Sequence, residues 1–154
     1  MKLLTMQEIE LSIMEETRDV DPEITEGLIL KEAVIPRSEI VKLQTKLHIG
    51  TLSQVFVELI LSYNWGNFGF LSYQFGVNDE ETLNWIVQRN LEYADYDILH
   101  QLDLMIIANG DPSTILLECA TGKVYAIDSE TAYEDRILIE MIIRREHCFI
   151  MTEY

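Results

Sequence analysis

LMIIANGDPSTILLECATGKVYAID, residues 104–128, decides the fold of this chain. Its apolar run at 104–108 ends in Asn109, Gly110, Asp111 and Pro112, four residues that each favour a turn for a separate reason. Two more apolar runs, 114–118 and 123–127, flank Ala120, Thr121 and Gly122, and this spacing predicts a hairpin. Gly110 and Gly122 are expected to occupy backbone regions of positive φ. Three strands in such close succession predict an antiparallel sheet.

Outward from that core the texture changes on both sides. Towards the C-terminus, residues 133–149 carry Ile137, Leu138, Met141 and Ile142 with Arg144 and Arg145 late in the segment, where cations suit a helix dipole; a C-terminal helix is expected, although 137–143 is also β-prone. Towards the N-terminus, FGFLSYQFG at 68–76 alternates aromatics and reads as one strand, with Phe68 and Phe70 facing one way and Leu71, Tyr73 and Phe75 the other. Before it, residues 52–63 form the most apolar helix candidate, with Val55, Phe56, Leu59, Ile60 and Tyr63 on its buried side, ending at Asn64, Trp65 and Gly66. Gly66 is expected to allow positive φ at that turn. Pro36 opens a helix over 37–47 striped by Ile40, Leu43 and Leu47, with Gly50 as its break. Residues 5–17 read as a further helix, with Thr5 as N-cap and Glu8 as its capping-box partner. Asn78, followed by three acids, reads as the N-cap of a helix continued by Leu83, Ile86, Val87, Asn90 and Leu91. The whole is an α+β arrangement in one domain, 1–154: N-terminal helices, then a mainly antiparallel sheet of short strands, then a C-terminal helix. Residues 1–26 add an acidic helix and connection.

The chain has 154 residues, 48% of them hydrophobic, and carries 27 Asp and Glu against 11 Lys and Arg, a formal charge of −16. A chain of this composition buries a sizeable core and is no disordered acidic tail. Nucleic acid is a poor partner, because phosphate binding draws on Lys and Arg; an anionic membrane surface is disfavoured by the same sign. A basic protein partner is favoured. No run of apolar residues is long enough to span a bilayer, the N-terminus lacks the apolar core of a secretion signal, and Cys119 and Cys148 lie far apart without a CxxC spacing. These features set the expectation of a cytoplasmic protein.

Reaction chemistry finds little support. His48, His100 and His147 have no ligand-type spacing, so no metal is expected; no GxSxG is present, and the glycines of NWGNFG are followed by neither a Lys nor a helix that would cradle a phosphate. No cofactor and no catalytic residue are expected. Two acidic stretches stand out instead. Residues 8–26 hold eight carboxylates against one Arg and read mainly as a solubilising surface. Residues 92–103 interleave Tyr93 and Tyr96 with Glu92, Asp95, Asp97 and Asp103, with no Lys or Arg between them. Tyr supplies contact area at little entropic cost and Asp supplies charge complementarity, so Tyr93, Asp95, Tyr96, Asp97 and Asp103 are candidate partner contacts. Trp65, in a turn, is a candidate anchor, weighed against a Trp covering the core edge.

The run IPRSEIVKLQTKLHIGTLSQVFVELILSYNWGNFGFLSYQFG at 35–76, taken with LMIIANGDPSTILLECATGKVYAID, resembles the SUKH superfamily. That family includes the Smi/Knr regulators of glucan synthesis and many bacterial immunity proteins. Two helices, an asparagine–glycine–glycine-like turn, an aromatic strand and a central hairpin follow in the family's order, over about residues 32–128. The departures are Ser53 after Leu52 where the family often has Leu-Pro, and Asn64, Trp65, Gly66 at the turn. The resemblance implies a single α+β domain without catalytic activity that binds and neutralises a cognate toxin; such toxins are often nucleases and hence frequently basic. It leaves the toxin's identity and the oligomeric state open. The family's eukaryotic branch implies the alternative, an intracellular scaffold or regulator of cell-wall synthesis.

Overall fold

The computed structural model describes residues 6–25, 30–66, 68–70, 73–141 and 151–152. In chain order these form α1 (Met6–Glu16), β1 (Lys31–Glu32), α2 (Ser38–Leu47), α3 (Gln54–Ser62), β2 (Tyr63–Asn64), β3 (Gly69–Phe70), β4 (Tyr73–Gln74), α4 (Asn84–Glu92), α5 (Tyr96–Gln101), β5 (Leu104–Gly110), β6 (Ser113–Glu118) and β7 (Val124–Asp128). A 3-10 turn (Tyr133–Asp135) then leads to β8 (Ile137–Met141) and β9 (Met151–Thr152). The arrangement is α+β. One antiparallel sheet runs in the order β3-β4-β5-β6-β7-β8-β9, and β1 pairs with β2 in a separate two-stranded ladder.

The three strands expected at 104–128 are the middle of this sheet. Leu104 pairs with Glu118 and Leu117 with Val124, so β5, β6 and β7 form a continuous meander. Alternation then sorts their side chains. Met105, Ile115, Leu117, Val124 and Ala126 face a large core shared with α2, α3 and α4, while Leu104, Ile106, Leu116 and Ile127 face the opposite side and meet Leu99 of α5. A bulge between Ile106 and Ala108 lets Ile107 and Ala108 both join the larger core. Each fully buried Leu or Ile contributes about 1.5–3 kcal/mol relative to exposure, so both faces of this sheet stabilise the fold.

Beyond β4, the edge of β5 near Ile106 has no strand neighbour among the described residues, and α4 closes it. The buried Asn90 amide donates from Nδ2 to the Ile106 carbonyl at 3.0 Å and accepts the Ile106 N–H at Oδ1 at 2.8 Å. One side chain thereby does what a partner strand would do. An open strand edge is a template for unwanted pairing, and covering it with a helix removes that hazard.

Several expectations are corrected. The aromatic stretch is a hairpin, because β3 and β4 pair with each other through Phe70 and Tyr73. Phe68 and Phe75 consequently lie together in the core, ring centroids 5.7 Å apart, instead of on opposite faces. Asn78 caps no helix: it is fully buried, accepts the Trp65 N–H at 2.7 Å and donates to the Tyr63 carbonyl at 3.0 Å, while 79–82 close a tight turn and α4 begins at Asn84. The buried side of α3 is Phe56, Val57, Ile60 and Leu61, with Val55 exposed. Leu91 of α4 is also exposed. α2 ends on His48, which takes the left-handed conformation at φ 54°, so the break belongs to His48 and not to Gly50. The expected C-terminal helix is replaced over its described part by the 3-10 turn and β8, in keeping with the β-prone run there. Thr5 and residues 142–150, with His147 and Cys148, lie outside the described residues.

The turn residues need glycine for two different reasons. Gly122 has φ 75°, as expected, and a Cβ there would meet the Ser53 hydroxyl at 2.5 Å. Gly110 and Gly66 do not have positive φ. Gly110 lies at the end of β5, where a Cβ would fall 2.4 Å from the Tyr73 ring, and at Gly66 it would fall 2.9 Å from the Asn78 carbonyl. The tight connection itself is Asp111 and Pro112, joined by a cis peptide bond.

Candidate protein-binding face

The outer side of the sheet is where the sequence's tyrosines and carboxylates gather. The chain leaves α4 at Tyr93 and crosses to α5, whose Leu99 packs on Leu104, Ile106, Leu116 and Ile127. Tyr93, Leu102, Tyr125 and Tyr133 surround this apolar patch and are half-buried against it. The Tyr133 hydroxyl donates to Oδ2 of Asp95 at 2.7 Å and shares that proton with the Tyr93 hydroxyl oxygen at 3.2 Å. This trio joins residues 38 and 40 positions apart in sequence. Burial, the Tyr93 contact and the Asp95 carboxylate all hold the Tyr133 phenol well above its ordinary titration range, so it stays a donor.

Next to the trio, Tyr125 donates to Oε2 of Glu118 at 3.3 Å, and the Arg136 guanidinium lies 4.6 Å from the Tyr125 ring centroid. Arg136 also donates from Nη1 to the Tyr133 carbonyl at 2.8 Å. From residue 92 to residue 135 the chain carries ten carboxylates and one Lys, Lys123. The trio ties two of its acidic segments, 92–97 and 128–135, side by side. Glu92, Asp97, Asp128, Glu130, Glu134 and Asp135 are exposed.

The candidate contacts separate into three groups. Asp97 is on the surface, and Tyr93 and Asp95 are half-buried in the trio. Tyr96 and Asp103 are parts of the scaffold. The Tyr96 hydroxyl donates to the Leu47 carbonyl at the end of α2, its ring stacks on His100, and burial followed by the Asp97 charge raises its titration. Asp103 takes φ 58°, accepts the Ala120 N–H on Oδ2 at 2.9 Å and the Cys119 N–H on its carbonyl at 2.8 Å, and so latches the start of β5 to the β6–β7 turn. The segment 92–103 contains α5, so its tyrosines and carboxylates are carried partly on a helix. Trp65 is no surface anchor: it is 3% exposed, donates from Nε1 to the Leu59 carbonyl at 3.1 Å and packs between Phe68 and Phe75.

Sequence reasoning missed Tyr125, Tyr133, Glu134 and Asp135. Tyr133, Glu134 and Asp135 repeat the composition of 93–97, a Tyr beside carboxylates, and that repetition was the available signal. The helix expected from 133 onwards hid it.

The Cys119 thiol is buried beside Asp103 and Glu118; burial first, then those charges, push it up to about 12. It is a neutral thiol near pH 7 and poorly suited to nucleophilic attack. His48 and His100 come within 6.2 Å, edge to face. No group of three or more His, Cys, Asp or Glu among the described residues could hold a metal ion, and no described helix is long and apolar enough to cross a membrane. Comparison of the chain with family profiles, with curated proteins and with solved structures produced no match.

Proposed function

We propose that this chain is an immunity-type binding protein of the SUKH kind, acting in the cytoplasm, that neutralises a basic toxin by covering its substrate cleft with the outer face of the sheet. The observation that carries this reading is the Tyr133–Asp95–Tyr93 trio, which fastens two acidic segments together around an apolar patch. The face has the anatomy of a specific interface: tyrosines of low conformational freedom at its centre and carboxylates at its rim. The −16 field draws a cationic partner in, and the rim sets its orientation. The order of segments shared with the SUKH superfamily and the lack of catalytic spacing in the sequence support the same reading.

The test is co-expression with the protein encoded by the neighbouring gene, read as growth and as direct association. The native chain restores growth and binds. Asp97→Lys with Glu134→Lys, both surface changes, slows association at least tenfold at low salt and flattens its salt dependence, with thermal stability unchanged. Absence of both protection and binding overturns the function. Native association rates in the double variant overturn the face.

A further inference from the structure

Arg89 is an unpaired cation in a molecule crowded with carboxylates. It is half-buried on α4, its Nη1 is shut off from water without a hydrogen-bond partner, and it makes no ion pair with any described residue, although the chain has 27 Asp and Glu. Glu92, one turn further on, takes the Gln88 amide instead. Burial alone acts on the guanidinium, lowering its titration with no carboxylate to offset the loss. A half-buried charge without a partner costs stability, and a ligand that brings an acceptor to it recovers part of that cost.

The surroundings of the guanidinium suit such a ligand. Trp85 lies one turn before Arg89 on the same face of α4, 41% exposed, with no hydrogen bond or ring contact to a described residue. Beneath the two side chains the floor is bare backbone. A Cβ on Gly66 would touch the Trp85 ring at 3.5 Å, and one on Gly76 would fall 2.4 Å from Nη2 of Arg89. The two glycines are buried and joined through Trp65, whose carbonyl accepts the Gly76 N–H at 3.4 Å. Asn78 fastens the same stretch by accepting the Trp65 N–H. Side chains at 66 and 76 would fill the places that the indole and the guanidinium take.

We infer that Trp85 and Arg89 form a binding site for a carboxylate attached to an apolar group. A guanidinium is planar and offers parallel N–H donors to the two oxygens of a carboxylate, while an exposed indole ring covers the group attached to it. The sign of the site sets it apart from the acidic partner face, because its occupant is an anion. Two sources carry this chemistry, a free aromatic acid and the C-terminus of a peptide chain.

The chain's other tryptophan, Trp65, is buried, so a ligand-induced change in indole emission reports Trp85. N-acetyl-phenylalanine, its uncharged amide and a hexapeptide ending in phenylalanine are titrated into the full chain, with emission and heat recorded together. The acid and the peptide bind saturably, and the amide binds about tenfold more weakly or worse. Arg89→Gln lowers the affinity for the acid by a similar factor, and Arg89→Lys lowers it less, since the charge stays and the planar fork goes. Trp85→Phe abolishes the emission change while the heat of binding persists. Lys123→Gln, which removes a cation elsewhere, leaves the affinity unchanged. Circular dichroism checks that each variant is folded; if Arg89→Gln is not, Arg89→Lys decides. A peptide that binds about tenfold more tightly than the acid assigns the site to a chain terminus, and equal or weaker binding assigns it to a free acid. No saturable binding of either, equal binding of the amide, or native affinity in the Arg89 variants overturns the inference.

Discussion

The Asn90 amide oxygen accepts the Ile106 N–H, and its NH2 group donates one hydrogen to the Ile106 carbonyl at the edge of β5 and the other to the Ile86 carbonyl one turn back in α4. Asn90→Leu keeps the volume roughly constant but leaves both Ile106 groups without a partner in a buried site. The expected cost is about 2–4 kcal/mol, read from denaturant unfolding, because each stranded polar group forfeits about 1–3 kcal/mol. Glu39 is a buried charged residue with a defined duty. Its carboxylate receives Lys42 Nζ at 2.6 Å and the Leu83 N–H at 3.2 Å, tying α2 to the start of α4. The Lys42 contact, working against burial, holds its titration below the ordinary 4.5. The folded chain therefore keeps Glu39 ionised where the unfolded chain has begun to take up a proton. Its contribution is complete above about pH 4.5 and is lost as pH falls through the lower folded value. Glu39→Gln should flatten the acid limb of stability against pH while lowering stability at pH 7, both measurable by denaturant titration across pH.

At the scale of elements, the β6–β7 connection is the most demanding piece of backbone. Gly122→Ala forces an L-residue into the left-handed region and presses on Ser53 at the head of α3, so a loss of about 1–3 kcal/mol is expected, visible as a lower thermal midpoint. Gly110→Ala should lose a comparable amount by displacing the Tyr73 ring, a steric effect without a backbone one. These two glycines illustrate how much of the fold was legible in the sequence. The meander at 104–128 was readable because apolar runs and turn residues alternate there at strand spacing, and the stripe of Ile40, Leu43 and Leu47 because it repeats at helical spacing. Asn78 and Trp65 were not readable. Their roles depend on each other across thirteen positions, through a single hydrogen bond, and no local pattern encodes such a pairing. The tyrosine trio escaped for the same reason, with Tyr133 reaching back across forty positions to Tyr93. Local composition pointed to Tyr93 and Asp95, and only the sheet's outer face shows what completes them.

Over the whole molecule, charge and architecture divide the labour. The sheet separates a large core, shared with α2, α3 and α4, from a smaller apolar patch that carries the proposed partner face. Residues 92–135 carry ten carboxylates against Lys123 alone, whereas four cations fall within 31–46, so the net charge of −16 is distributed unevenly along the chain and favours a cationic partner at the acidic segments. Salt then acts on the partner's arrival more strongly than on the fold. The tyrosine trio also has a bearing on alkaline conditions. A phenol that must ionise beside a carboxylate resists doing so while the chain is folded, and unfolding removes that resistance. Of the seven tyrosines, Tyr133 and Tyr96 are both held above their ordinary range. As pH rises past about 10, the unfolded chain gives up these protons more readily than the folded one, and stability drains away. An ultraviolet titration of phenolate should accordingly be biphasic: most rings ionise reversibly, and the last ones ionise together with loss of the far-ultraviolet signal. Tyr133→Phe should shrink that late step, which makes the join between the two acidic segments a natural optical gauge of when the molecule comes apart.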